Sequence, residues 1–336
     1  MTDRETISSL FAADQQSSLT VTNIQGDAST RQYFRARTAE GAFVVCHDPA
    51  FNSGCADSYP FLRVQRLLLR HGIAVPRVIS VEPENGLLLL EDCGDQLLQN
   101  MFGSPLESSI PDRYREIIDL LVRLQSITGK NNEIPFSLSF DREKLMMEFD
   151  FFIEHALGSY FAGVLDSEKI LSLRCEFEAV TEILVRPRHF VLNHRDFHSR
   201  NILIHRDRPV IIDFQDARMG LPQYDAVSLI KDSYVSLGEE LSDELKSRHY
   251  QALRGHSLTS MSYDEYLFYF DIMAFQRNIK AVGTFSYQTT VRKSRAFEHS
   301  IAPTLRYLPE YITARGELKK AGSLLQPILE RISTAP

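Results

Sequence analysis

Short apolar runs separated by polar turns fill residues 20–90, a pattern typical of β-strands. Between the third and fourth runs, apolar residues at helical spacing predict one helix over 59–71, ended by Gly72. We therefore expect a small sheet that carries one helix. The expected strands are Leu19–Ile24, Tyr33–Arg37, Ala42–Cys46, Arg77–Val81 and Leu87–Leu90.

After Gly94 the pattern changes to the 3.6-residue period of amphipathic helices. Pro111 opens a long helix with apolar residues on one face, and strand-like runs over 190–214 interrupt the helical part. Further helices are expected over 141–157, over 168–185 and from about 225 to the end of the chain. The second part of the chain is therefore expected to be mostly helical.

Composition narrows the class of protein. The chain has 336 residues, of which 43% are hydrophobic, enough for two packed lobes. A net charge of −7 without a basic block argues against a nucleic-acid partner. Four widely spaced cysteines indicate reduced thiols, and the most hydrophobic run, 86–90, is too short to span a bilayer. We expect a soluble cytoplasmic protein that binds no membrane, with no obligate protein partner evident.

One segment carries most of the candidate chemistry. Residues 194–201 read H-R-D-F-H-S-R-N, and residues 211–214 read I-I-D-F. The pattern H-R-D-x-x-x-x-N, followed by an aspartate after an apolar run, is typical of phosphoryl transfer from ATP. Asp196 would accept the proton of the attacking hydroxyl, and Asn201 and Asp213 would hold Mg²⁺. A polar loop between two buried strands is the alternative, but it does not explain four chemically fixed positions at this spacing.

A β-rich part, a short connector and a helical part that holds this segment are arranged as in a protein kinase. We predict an α+β, protein-kinase-like two-lobe fold with a small antiparallel β-rich first lobe. The first lobe is expected over residues 1–90, the connector over 91–94 and the helical second lobe over 95–336. ATP would lie in the cleft between the lobes, where concave sites usually form.

The chain lacks the glycine-rich loop and the strand lysine with which common kinases bind phosphates, and other residues stand in their places. No two glycines lie two positions apart, so a G-x-G-x-x-G loop is excluded, and residues 26–31 read G-D-A-S-T-R in its place. An ordinary hairpin turn is the alternative interpretation of that segment. The first lysine of the chain is Lys130, so Arg31, Arg35 or another arginine must supply the cation for the nucleotide. A pseudokinase would also explain the missing lysine, but its catalytic residues would not be expected to remain intact.

The segment after Asp213 indicates a small acceptor. No A-P-E sequence follows, and there is little room for an activation segment on which a peptide could dock. Asp225, at the start of the next helix, is expected to be an N-cap or a carboxylate that holds the catalytic loop, rather than a substrate ligand.

With these motifs the chain resembles the aminoglycoside phosphotransferase (choline-kinase-like) superfamily. Within it, the chain is most similar to bacterial kinases that phosphorylate N-acetylmuramate and N-acetylglucosamine at the anomeric hydroxyl. The likeness spans roughly residues 5–310. It rests on the segments 26–35 (G-D-A-S-T-R-Q-Y-F-R), 89–95 (L-L-E-D-C-G-D), 141–145 (D-R-E-K-L), 194–201 and 212–217 (I-D-F-Q-D-A).

The resemblance implies ATP and Mg²⁺ as cofactors and assigns roles to individual residues. His198 and Arg200 would order the loop or touch the γ-phosphate, although His198 could equally be an ordinary packed histidine. The remaining roles are the base Asp196, the metal ligands Asn201 and Asp213, the phosphate contacts Ser29, Thr30 and Arg31, and the adenine contacts at the backbone of Glu91 and Cys93.

The acceptor site is expected in the helical lobe. Glu148 and Phe152 share a helix face at i, i+4 and suit a sugar ring, with a half-buried helix face as the alternative. Arg277 and Lys280 could pair with the lactyl carboxylate of a muramate, with a solvated face as the alternative. Asp216 is a candidate for a second metal or a sugar hydroxyl.

The resemblance implies an anomeric kinase that acts in cell-wall sugar recycling. A kinase for aminoglycosides, for choline or for another small alcohol uses the same catalytic centre, because this kind of fold hosts many acceptors. A nucleotide-binding pseudokinase is the non-enzymatic alternative, and it would bind ATP without Mg²⁺-dependent turnover.

Overall fold

The computed structural model describes residues 4–24, 31–187 and 189–334. In this part of the chain the strands are β1 (Thr20–Ile24), β2 (Gln32–Thr38), β3 (Gly41–His47), β4 (Val78–Glu82), β5 (Leu87–Glu91), β6 (Val191–Asn193), β7 (Ile202–His205), β8 (Arg208–Ile211) and β9 (Arg218–Gly220). The α-helices are α1 (Arg4–Ser8), α2 (Ala13–Gln16), α3 (Pro60–Arg70), α4 (Ile110–Gln125), α5 (Arg142–Phe152), α6 (Ser167–Leu184), α7 (Gln223–Ile230), α8 (Glu239–Gly255), α9 (Tyr263–Thr290), α10 (Ile301–Leu305), α11 (Leu308–Ala314) and α12 (Lys319–Thr334). A π-helix spans Ile153–Tyr160, and 3₁₀ turns occupy Pro83–Asn85, Leu98–Met101, Glu107–Ser109, Arg295–Ser300 and Gly316–Leu318.

The chain forms two compact units, each described here by itself. The first comprises the chain up to Leu98 together with 201–216, and the second comprises 99–200 together with the chain from 217 onward. Each unit therefore contains two separate stretches of sequence. The single division at 91–94 made from the sequence stays a prediction.

The first unit is built on an antiparallel sheet with strand order β1-β2-β3-β5-β4. Strand β5, which lies between β3 and β4, is an apolar run that is buried from Leu87 to Leu90. Helix α3 begins at Pro60, buries its apolar face and ends just before Gly72, whose φ of +73° suits a helix stop. All five strands and the helix predicted from the sequence are confirmed.

The β7–β8 hairpin belongs to the first unit. Its strands pair from Ile202 opposite Ile211 to His205 opposite Arg208, and both turn residues between them have positive φ, as a tight two-residue hairpin requires. The N–H of Ile204 donates to the carbonyl of Gln96 at 2.7 Å, which joins the hairpin to the segment that follows β5. The ends of the hairpin, residues 201 and 212–213, therefore lie at a fixed edge of this unit.

The second unit surrounds helix α9. This helix is buried over most of its 28 residues, as expected of a helix that neighbours cover on several sides. At Gly283 it lies so close to α5 that an added Cβ atom would be 2.8 Å from the Cα atom of Phe152. The predicted helix over 141–157 is a regular α-helix only as far as Phe152 and continues as the π-helix. The helical second part is confirmed, and with the sheet it establishes an α+β protein.

A buried histidine connects three elements of the second unit. The Nε2–H group of His249 on α8 donates to Gln125 Oε1 on α4 at 2.9 Å, and its Nδ1 atom accepts from the Tyr266 hydroxyl on α9 at 2.8 Å. Burial lowers the pKa of His249 to about 3, so the ring is neutral near pH 7. Within the ranges that the structure describes, no helix is both long and apolar enough to cross a membrane.

Candidate active site

The catalytic loop lies between β6 and β7 and places Asp196 in the second unit. Arg195, which precedes it, has a φ of 89°, an unusual value for a residue other than glycine. Such conformations persist where the surroundings determine them, and they are frequent at active sites.

Two buried aspartates hold this loop through its backbone. The carboxylate of Asp225 accepts from the N–H groups of His194 at 2.5 Å and Arg195 at 3.0 Å. Asp232 accepts from the N–H group of Ser199 at 2.8 Å. Burial raises the pKa of Asp225 to about 7 and that of Asp232 to about 6, although the backbone donors favour the ionised carboxylates.

The prediction that Asp225 holds the loop is confirmed. The alternative that it caps α7 is wrong, because Pro222 occupies the N-cap position. Asp232 was missed by the sequence analysis. The available signal was the position of Asp232, two residues after the last residue of the apolar helix α7, where a buried carboxylate needs hydrogen-bond partners.

Three cations lie around the carboxylate of Asp196. Lys280 Nζ is 2.8 Å from Oδ1, Arg277 Nη1 is 3.6 Å from the same oxygen, and the Arg195 Nε atom is 4.0 Å from Oδ2. Burial opposes ionisation of Asp196, but these cations hold its pKa well below the usual range. The carboxylate is therefore ionised throughout the physiological pH range.

Arg277 and Lys280 both lie on α9, one turn apart. The Arg277 guanidinium is stacked over the Tyr224 ring, 4.8 Å from its centroid, and its Nη1 donates to the Tyr224 hydroxyl at 3.4 Å. Burial lowers the pKa of Lys280, whereas Asp196 acts in the opposite direction. The solvated-face alternative for this pair is wrong, because both side chains are largely buried beside Asp196.

His198 and Arg200 pack against the same aromatic side chain. The His198 ring lies 5.2 Å from the Tyr234 ring, and the Arg200 guanidinium lies 4.8 Å from the Tyr234 centroid and 5.2 Å from that of Phe297. Burial lowers the pKa of His198 to about 3, so its ring is neutral. These contacts order the loop, and a direct role in chemistry stays a prediction for both residues.

The two predicted metal ligands lie at one end of the β7–β8 hairpin in the first unit. Asn201 directly precedes β7, and its carbonyl accepts from the N–H group of Ile212 at 3.0 Å, beside Asp213. Asp213 has a φ of 64° and an exposed side chain, whose Oδ1 accepts from Gln215 Nε2 at 2.8 Å. One amide and one carboxylate fit Mg²⁺, which takes few protein oxygens and completes its shell with phosphates and water.

Arg31 is the candidate cation of the first unit. Its Nε atom donates to Asp48 at 2.8 Å, and the Tyr59 hydroxyl at the start of α3 donates to the same carboxylate. In the usual clamp a strand lysine pairs with a helix glutamate. Here Arg31 directly precedes β2 and its carboxylate partner Asp48 directly follows β3, so the charge pairing is similar but the supporting elements differ. Arg35, the other candidate, donates to both Asp92 and Asp95 at 2.7 Å and is therefore more fully neutralised.

The remaining nucleotide contacts are located only in part. Residues 26–30, with the predicted phosphate contacts Ser29 and Thr30, lie outside the described residues. Glu91 ends β5, and the carbonyl of Cys93 is hydrogen-bonded to His205 Nδ1 at 3.0 Å. Adenine binding at these two residues stays a prediction.

The predicted acceptor residues have different surroundings. Glu148 is 5% exposed and accepts from Gln276 Nε2 at 2.9 Å, while its Oε1 atom has no hydrogen-bond partner among the described residues. Phe152 is fully buried against Phe177, so the prediction that it faces a sugar is wrong. Asp216 is exposed in the first unit, and its role stays a prediction.

Comparisons with known proteins agree with this arrangement. Residues 20–258 match the model of the phosphotransferase enzyme family. The chain is 31% identical over 264 residues to an N-acetylmuramate/N-acetylglucosamine kinase of Neisseria meningitidis serogroup B, covering 77% of this chain and 76% of the relative. A kinase of the same name from Pseudomonas aeruginosa is 28% identical over 305 residues, covering 89% and 86%.

Among solved structures, the ADP-bound aminoglycoside phosphotransferase APH(2'')-Ib matches with a TM-score of 0.59 at 16% identity. The match covers 93% of this chain and 94% of that protein. At this level of identity the likeness concerns the fold, and it confirms the protein-kinase-like fold predicted from the sequence.

Proposed function

This chain belongs to the phosphotransferase enzyme family, and from that membership we propose that it transfers the γ-phosphoryl group of ATP to the anomeric hydroxyl of N-acetylmuramate or N-acetylglucosamine. The proposal is supported by relatives with this kinase name that align over most of both chains. The reaction would serve the recycling of cell-wall amino sugars. We place it in the cytoplasm, where ATP is supplied.

The surroundings of Asp196 carry the acceptor assignment. Lys280 and Arg277 provide positive charge for an acceptor carboxylate. The predicted contact between Glu148 and a sugar would require the buried Glu148 carboxylate to become accessible. A polycationic aminoglycoside or the quaternary ammonium of choline would be repelled by these cations. The charge of the site therefore favours a neutral or acidic sugar over the alternative acceptors.

Asp196 would orient the attacking hydroxyl and take its proton late, because the pKa of this carboxylate is far below that of a hydroxyl. Such a reaction depends on positioning more than on basicity. The backbone bonds from Asp225 and Asp232 supply that positioning, since they fix the loop on both sides of Asp196.

Asn201 and Asp213 would hold Mg²⁺ through oxygen ligands. When bound, the ion neutralises the charge of the phosphate oxygens. Arg31, kept in place by Asp48, would contact the phosphates together with Ser29 and Thr30. The backbone of Glu91 and Cys93 would bind adenine, and Asp216 would contact a sugar hydroxyl or a second metal ion.

The test is ADP release from Mg·ATP with N-acetylmuramate, N-acetylglucosamine, kanamycin, choline and homoserine as acceptors, followed by ³¹P NMR of the product. A sugar 1-phosphate signal is the expected result. Turnover with another acceptor would keep the kinase and reject the sugar assignment. ATP binding without turnover on any acceptor would favour the pseudokinase.

The role of Asp196 is tested by Asp196→Ala with Asp264→Asn as the control. Asp264 is exposed in the first turn of α9, so its variant should behave as wild type. Asp196→Ala should lose nearly all turnover and still bind nucleotide. If it retained more than about a tenth of the wild-type kcat, Asp196 would not be the base.

A further inference from the structure

The closest ionic contact of Asp196 is with a lysine. Lys280 Nζ is 2.8 Å from Oδ1, and 15% of the Lys280 side chain and 23% of the Asp196 side chain are exposed to solvent. The ammonium group therefore takes up hydrogen-bonding capacity of the carboxylate that an acceptor hydroxyl must approach. A substrate has to bind beside this ion pair or change it.

The neighbouring arginine is held much more firmly than the lysine. Arg277 is 7% exposed, stacks on Tyr224 and donates to its hydroxyl, so its guanidinium is fixed by two contacts. Lys280 carries a compact charge on a flexible four-carbon stem and can move its ammonium group by several ångströms. Of the two cations on α9, Lys280 is the one that can change partner.

Cations from two helices and the loop lie around Asp196, and Glu148 and Asp225 are the other carboxylates that act on them. Lys144, on α5, has its pKa lowered by burial and by the nearby Arg195, while Glu148 acts in the opposite direction. Arg195 lowers the pKa of both Lys144 and Lys280. Positive charges from helix α5, helix α9 and the catalytic loop therefore act on one another near Asp196. An acceptor that brings its own carboxylate would relieve this repulsion.

We propose that Lys280 is a specificity-determining residue that exchanges Asp196 for the carboxylate of an acidic acceptor. This inference rests on the proposed function. A bound carboxylate attracts the ammonium group, and the released Asp196 oxygen accepts the acceptor hydroxyl. A neutral acceptor leaves the Lys280–Asp196 ion pair in place. Its hydroxyl must then donate to the part of the Asp196 carboxylate that Lys280 does not use. Lys280 thus favours acidic over neutral amino sugars.

The experiment compares kcat/KM for N-acetylmuramate, its lactyl methyl ester and N-acetylglucosamine at saturating Mg·ATP. The enzymes are wild type, Lys280→Met, Lys280→Arg and the control Lys246→Met. Lys246 is a matched control, because it is also largely buried and pairs with an aspartate, Asp243, at 2.9 Å. Melting temperatures establish that each variant is folded.

Lys280→Met should lower kcat/KM for N-acetylmuramate by about ten- to a hundredfold, the usual effect of losing a charge-assisted hydrogen bond. The values for the methyl ester and N-acetylglucosamine should change by similar factors to each other and fall less than the value for the acid, so the ratio of kcat/KM for the acid to kcat/KM for the ester should fall about tenfold or more. Lys280→Arg should recover part of the loss, and Lys246→Met should leave all three values unchanged.

The wild-type enzyme supplies an independent readout, because the methyl ester removes the charge without any mutation. The ester should be a poorer substrate than the acid for wild type and an equal one for Lys280→Met. Equal losses on all acceptors in Lys280→Met would make Lys280 only a positioning residue and reject the exchange. If Lys280→Met still preferred N-acetylmuramate to its methyl ester, the exchange would also be rejected. If wild type phosphorylated neither sugar, the proposed function itself would fail, and this inference with it.

Discussion

Replacing Gly283 by alanine tests whether close packing of α9 on α5 positions the acceptor site. An alanine Cβ atom would lie 2.8 Å from the Cα atom and 3.0 Å from the backbone nitrogen of Phe152. Backbone atoms cannot rotate away, so the helices must separate by about half an ångström or more to restore ordinary contact distances. Lys280 lies one turn before Gly283 on the same helix, so this shift would reach the Asp196 ion pair.

Two opposing effects determine how much Gly283→Ala changes the free energy of unfolding. Alanine is the better helix former by about 1 kcal/mol. Overpacking against a rigid neighbour costs typically 1–3 kcal/mol, and contact with backbone places this site at about 2–3 kcal/mol. The net loss in the free energy of unfolding is therefore about 1–2 kcal/mol, or a fall of roughly 1–3 °C in the melting temperature of a chain of 336 residues.

Gly255→Ala is the matched control. Gly255 is the last residue of α8, and a Cβ atom added there would meet nothing within 4 Å. Its substitution should keep only the gain in helix propensity, so the melting temperature should stay unchanged or rise. The same chemical change is thus expected to have opposite signs at two helical positions.

Differential scanning calorimetry and steady-state kinetics decide the matter. Gly283→Ala should melt below wild type and show a raised KM for the acceptor, with the KM for ATP nearly unchanged. A Gly283→Ala protein at least as stable as Gly255→Ala would refute the packing argument. A destabilised variant with normal acceptor kinetics would refute the link to the acceptor site.

Three further predictions concern charge. Asp48→Asn should weaken the hold on Arg31 and raise the KM for ATP by about tenfold, without affecting the acceptor KM. The kcat should stay flat from about pH 5.5 to 8.5 as far as His198 and Asp196 are concerned, because His198 has a pKa of about 3 and that of Asp196 is also low. His249 takes up a proton on unfolding below its unfolded pKa of 6.5, so stability should fall with acidification. This histidine alone contributes about 2 kcal/mol of that loss at pH 5, which His249→Gln should reduce in thermal melts.

Each of these three predictions can be contradicted by a specific result. An unchanged KM for ATP in Asp48→Asn would show that Arg31 does not depend on this carboxylate. A kcat inflection near pH 6.5 that disappears in His198→Gln would show that this histidine titrates in the enzyme. Equal acid sensitivity of His249→Gln and wild type would assign the loss of stability to other groups.

Periodicity was sufficient for the fold, because the apolar runs of this chain are short, distinct and bounded by turn residues. The five strands of the sheet β1-β2-β3-β5-β4 and helix α3 follow from spacing alone. The π-helix does not, since a wider helical turn over eight residues leaves nearly the same pattern as an α-helix. Phe152 was assigned to the wrong environment, because i, i+4 spacing gives a shared face but does not show where the covering neighbour, here Gly283, begins.

The site residues that belong to one local motif were predictable from the sequence. The contacts between segments that are distant in the sequence were not. Asp196, Asn201 and Asp213 follow from local spacing, whereas Asp48 and Tyr59 approach Arg31 only in the folded sheet. Likewise, the sequence placed a lysine at 280 but gave no sign that its nearest partner is a residue 84 positions away.

The first unit contains no lysine at all, which has a practical consequence for chemical labelling. Acyl-phosphate nucleotide probes tag kinases by acylating an amine near the phosphates, and this unit offers them no lysine side chain. Thiol-reactive inhibitors meet a similar obstacle, because burial raises the pKa of both Cys46 and Cys93 to about 12 and keeps these thiols protonated. The partly exposed Cys55, in the loop before α3, is left as the handle for covalent chemistry on this unit. Amine-directed nucleotide probes would therefore have to react with a lysine of the second unit.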